Sequence, residues 1–133
     1  MVHRDLVAAI VRSAAVGGSS LYCRFLATGE PDGEAEERSF SEFCQRCLRI
    51  ASGLQSAGAR GERVLLLYPP GVAFAEGFVA CVLAGAVAVP ALPPDPSRLD
   101  RTLPRLTRMT IDADARFVLA PAALCAMAAA MAE

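Results

Sequence analysis

Two short apolar runs, Arg63-Val-Leu-Leu-Leu-Tyr68 and Ala86-Val-Ala-Val-Pro90, flank a helix-patterned segment over residues 72–84, and this spacing limits the fold more than any other feature. A strand that is apolar without alternation has both faces covered, the condition of a parallel sheet between layers of helix. Val72, Ala75, Val79 and Val82 fall on one stripe of the intervening segment, while Gly77, Ala80, Cys81 and Ala84 are small enough for close approach to the sheet. Pro69-Pro70-Gly71 turns the chain out of the first strand, Gly85 stops the helix, and Pro90 falls near the end of the second buried strand, where a missing amide matters least. After the stiff stretch Pro93-Pro-Asp-Pro96, a helix is predicted to begin between Asp100 and Thr102, with Pro104 in or near its first turn and Leu103, Leu106 and Thr110 facing one way. Arg116–Ala120 supplies a third strand, and Pro121 opens an Ala-rich helix. Strand, helix, strand, helix, strand in this order implies right-handed crossovers and a parallel sheet. The expected class is therefore α/β, an incomplete three-layer parallel-sheet subdomain whose edges further strands would normally cover.

Upstream, Leu6, Ile10 and Ala14, with Val7 and Val11 alongside, make a short amphipathic helix that Gly17-Gly18 ends. Leu21–Leu26 and Glu37–Phe40 read as the strands of a short hairpin around the acidic turn from Gly29 to Glu36. Ser39-Phe-Ser-Glu42 is a capping box, so a second helix should start there, with Phe43, Cys47, Ile50 and Leu54 on its inner face and Gly58 and Gly61 at its exit. The expected organisation is a helix and linker over 1–19, a hairpin over 20–40 and a parallel α/β unit over 41–133.

With 133 residues there is room for one domain or part of a larger one, and a net charge of −1 gives no global field toward nucleic acid or an anionic membrane. Every basic residue is an arginine, which excludes Schiff-base or P-loop chemistry by a lysine of this chain. The five cysteines are odd in number and scattered, a pattern of reduced, cytoplasmic thiols and not of a secreted disulfide framework. The N-terminus lacks the apolar core and cleavage site of a signal peptide. Residues 72–92 approach the length of a membrane span, but Glu76, Gly77, Gly85 and Pro90 interrupt them and their character changes midway from helix to strand, so no membrane span is expected.

Four features carry chemical potential, and each has a plainer reading. Cys44-Gln-Arg-Cys47 has the spacing of a metal half-site or redox pair, yet no second ligand pair is present and the motif lies inside a predicted helix, so it reads as structural. His3, the single histidine, has no nucleophile at meaningful spacing. Gly17-Gly-Ser-Ser20 follows a helix and precedes a strand, the reverse of the order that aims amides at phosphate, and reads as a linker. Arg98, Arg101, Arg105 and Arg108 form a basic stripe expected to be solvated or paired with Asp100 and Asp112. No GxGxxG follows a buried strand, which removes a Rossmann dinucleotide site. No catalytic, cofactor-binding or metal-ligating residue is assigned.

The run Gly61-Glu-Arg-Val-Leu-Leu-Leu-Tyr-Pro-Pro-Gly71, then Phe74, Phe78, Ala84-Gly-Ala-Val-Ala-Val-Pro90 and Pro93-Pro-Asp-Pro-Ser-Arg98, closely resembles the N-terminal region of fatty acyl-AMP ligases of the adenylate-forming superfamily. Ser39–Phe43, Ala51–Leu54, Arg101–Leu106 and Phe117–Leu119 fall where that family has similar residues, so the likeness runs from about residue 20 to 120. The prolines after both buried strands look more like these ligases than their acyl-CoA synthetase relatives. Departures occur at Val72-Ala73, where the family often has Leu-Asp, and at Leu92, where it has an aromatic.

For a full-length relative the resemblance implies ATP-dependent activation of a fatty acid to an acyl-adenylate, with magnesium, and delivery to an acyl carrier protein or polyketide synthase. It implies that this chain is the N-terminal portion of the large adenylate-forming domain, without the small C-terminal domain. The family's Ser/Thr/Gly-rich phosphate loop, its acidic magnesium- and ribose-binding residues and its C-terminal lysine have no counterpart here, so the chain alone is expected to be inactive. The alternative reading is a stand-alone binding or scaffold module that completes its open sheet by self-association or with a partner.

Overall fold

The computed structural model describes residues 5–131, in which helices α1 (Leu6–Gly17), α2 (Phe40–Ser56), α3 (Val72–Ala84), α4 (Leu99–Asp112) and α5 (Ala122–Met131) surround strands β1 (Leu21–Leu26), β2 (Ala35–Ser39), β3 (Arg63–Leu67), β4 (Val87–Ala91) and β5 (Phe117–Leu119). Strands β1 and β2 form an antiparallel hairpin, and β3, β4 and β5 form a parallel sheet in the order β4-β3-β5. The expected α/β class, parallel sheet and hairpin are thus all present.

The central strand explains the layering. Val64 and Leu66, both 0% exposed, pack against Ala51 and Leu54 of α2 and Ala80, Cys81 and Ala84 of α3. Leu65 and Leu67 point the other way, toward Leu106 and Met109 of α4 and Leu124 of α5. Alternate side chains of a strand leave on opposite faces, so a run of four apolar residues needs helices on both sides.

Local chemistry sets the helix ends. The Ser39 hydroxyl accepts from the Glu42 amide at 3.2 Å while the Glu42 carboxylate accepts from the Ser39 amide at 2.9 Å, which completes the capping box that starts α2. Helix α3 ends at Gly85, whose φ of 74° is left-handed and costs glycine little, and its amide reaches back to the Cys81 and Val82 carbonyls. Inside α3, a Cβ on Gly77 would stand 2.9 Å from the Tyr68 ring, so close helix–strand contact depends on the missing side chain.

Several expectations change in detail. On α2 the buried positions are Phe43, Cys47, Ala51 and Leu54, with Ile50 only partly covered, because α3 crosses nearer to Ala51. On α3 the small-residue face is buried together with Val72, whereas Val79 and Val82 are half-exposed, since close packing favours the side that lets backbones approach. Strand β4 is not sandwiched: it is an edge strand, with Val87 53% exposed, and Pro90 sits on it where a missing amide harms no ladder. The second hairpin strand begins at Ala35, ahead of the expected Glu37.

Helix α4 also starts earlier than expected. The Asp95 carboxylate accepts from the Ser97 amide at 2.9 Å and from its hydroxyl at 2.7 Å, shaping a 3-10 turn over Pro96–Arg98 that runs directly into Leu99. Pro104 is therefore inside the helix, beyond the first turn. None of the residues of α4 is buried: Leu106 and Met109 touch the sheet, whereas Leu103, expected to face inward, is 40% exposed. Among the described residues no helix is long and apolar enough to cross a membrane, and residues 72–92 divide between α3 and β4.

Candidate functional site

In open parallel sheets, ligands gather beyond the carboxyl ends of the strands, where loops leave side chains free to converge. In this sheet that end lies where β3 runs into Tyr68-Pro69-Pro70 and β4 into Leu92. A groove of about 380 Å³ occupies the position, lined by Tyr68, Pro70, Phe74, Leu92, Arg105 and Met109, with Pro90 and Ala91 at its floor. A smaller cleft of about 150 Å³ adjoins it and shares Leu92, Arg105 and Met109.

Three elements build the larger groove. The diproline holds the exit of β3 extended and turns it into α3, whose first turn delivers Phe74. Tyr68 lies across Gly77, and burial raises its hydroxyl pKa above the ordinary tyrosine value, with smaller contributions from Cys125, Cys81 and Glu76. Phe74 leans toward Phe78 at a ring separation of 6.4 Å. Helix α4 closes the far wall with Met109 and Arg105. The lining thus offers apolar contact and one guanidinium, and no carboxylate.

The arginine stripe stays in solvent. Arg98, Arg101, Arg105 and Arg108 are all exposed, and among the described residues none forms an ion pair, so Asp100 and Asp112 do not serve as the expected partners. Cys47 is 0% exposed between Phe43 and Val72; burial, then the nearby charges of Glu76 and Cys44, push its thiol to about 12, a structural environment in which thiolate is scarce. Cys44 is half-buried beside it. Along Gly17–Ser20, the carbonyls of Gly18 and Ser20 accept from the amides of Ser41 and Phe40 at 2.8 and 3.0 Å, so the loop docks its acceptors onto α2, which is a linker's role. His3 lies outside the described residues.

In the sequence Glu76 is a lone acid interrupting an apolar stretch. It is 3% exposed, and its carboxylate receives Arg38 Nε at 3.0 Å with Arg46 Nε at 3.8 Å; Arg38 also reaches Glu36 at 2.5 Å. A buried carboxylate without a cation is too costly to persist, and a lone Glu among the apolar residues of α3 was the available signal that a basic partner must exist.

The AMP-binding enzyme family model matches residues 19–133. A medium-chain-fatty-acid–[acyl-carrier-protein] ligase of Moorena producens is 46% identical over 95 residues, which covers 71% of this chain and 16% of that protein. Disco-interacting protein 2 homolog B-A of Danio rerio is 39% identical over 74 residues, 54% of this chain and 5% of that protein. Among solved structures, the fatty acid AMP ligase from Legionella pneumophila superposes with a TM-score of 0.78 at 30% identity, over 90% of this chain and 20% of that one. The chain therefore spans a minor part of the length of the relatives it matches, and the resemblance read from the proline-bounded strands is borne out.

Proposed function

This chain belongs to the AMP-binding enzyme family, and from that premise we propose that it is the N-terminal portion of the large domain of a fatty acyl-AMP ligase. In that reading the complete enzyme activates a fatty acid with ATP to the acyl-adenylate and passes it to an acyl carrier protein or polyketide synthase in the cytoplasm. Residues 1–19 form the leading helix and linker, 20–40 the hairpin and 41–133 the parallel α/β unit. The single observation that carries the reading is the 46% identity to a ligase whose name gives both acid and carrier. The 0.78 superposition on a fatty acid AMP ligase at 30% identity supports it.

The residues of this chain do not fit a triphosphate and its magnesium. Phosphoryl chemistry requires converging amides or cations and oxygen ligands for the metal. The chain has no lysine, and among the described residues no three of His, Cys, Asp or Glu gather into a metal-binding group. What it supplies is a support: a sheet edge, a sealed helix layer and an apolar groove at the strand ends. No catalytic step is assigned to a residue of this chain, and the chain alone is inactive.

Two measurements test this. The isolated chain is expected to give no ATP–pyrophosphate exchange with any fatty acid, and turnover would overturn the inactive reading. A chimera in which residues 20–120 replace the matching stretch of the Moorena producens ligase is expected to keep fatty-acid-dependent exchange. A folded chimera that has lost it would refute the family assignment at the level of substrate. The exposed outer edges of β4 and β5, with Val87 and Val118 each 53% exposed, favour a second reading as a self-associating module. A stable homodimer in light scattering would support that one.

A further inference from the structure

We draw no further inference here: the strongest candidate, the apolar cavity of about 210 Å³ that Leu6, Ile10, Tyr22 and Phe43 line between α1, β1 and α2, carries nothing because nothing in the structure shows what covers or fills it.

Discussion

The two faces of the parallel sheet are covered in opposite styles. On the α2–α3 face, Val64 and Leu66 meet a layer of Ala51, Ala80, Cys81 and Ala84, and every one of these residues is buried. On the α4–α5 face, Leu65, Leu67 and Ala91 are buried, but no residue of α4 is, and Leu103 and Ile111 stand 40% and 70% exposed. Small residues allow close backbone approach and leave no space, whereas the longer side chains of α4 hold it away from the sheet and leave the groove. The sealed face therefore holds the fold, and the loosely covered face contains the groove at the strand ends.

The largest expected effect lies on the sealed side. Replacing Glu76 by Leu leaves Arg38 facing an apolar pocket and is expected to cost about 3–5 kcal/mol, while Glu76→Leu with Arg38→Met together should recover most of the loss. Chemical denaturation of both singles and the double measures the coupling, and additive losses would show that the hairpin is not clamped to α3 through this pair. Next, Leu66→Ala is expected to destabilise by about 2–5 kcal/mol, and Leu106→Ala, half-buried where α4 meets the sheet, by about half as much. Equal losses would erase the proposed contrast between the faces.

The smallest effect concerns the capping box. Ser39→Ala should cost about 0.5–2 kcal/mol, because it removes the acceptor for the Glu42 amide. The amide and hydroxyl of Ser39 hold the Glu42 carboxyl below its ordinary value. A carboxyl whose pKa is lower in the folded state contributes stability that is fully present above the unfolded value of about 4.3 and is lost as pH falls through the lower folded value. Denaturation midpoints of the Glu42→Gln variant should show a shallower decline through that acid window than the parent, and parallel declines would remove Glu42 from the account.

Much of this was legible along the chain because the signals are local. The capping box at Ser39, the diproline before α3 and the left-handed exit at Gly85 depend on neighbours within a few residues. The apolar run of β3 demanded helices on both sides. The role of Glu76 was not legible because its partner is Arg38, 38 residues away, and only the docking of the hairpin onto α3 brings the two together. Neither did the candidate groove announce itself, since Tyr68, Phe74, Leu92 and Met109 look like ordinary core residues until the strand order is known.

Sequence alone determined the elements, their α/β order and the family, because periodicity, caps and turn residues act over short range. Tertiary structure alone decided that β4 is an edge, that a buried carboxylate ties hairpin to helix, and that Arg105 borders an apolar groove. Those outcomes depend on which distant segments meet, and burial and charge pairing are properties of that meeting and not of any one stretch of chain.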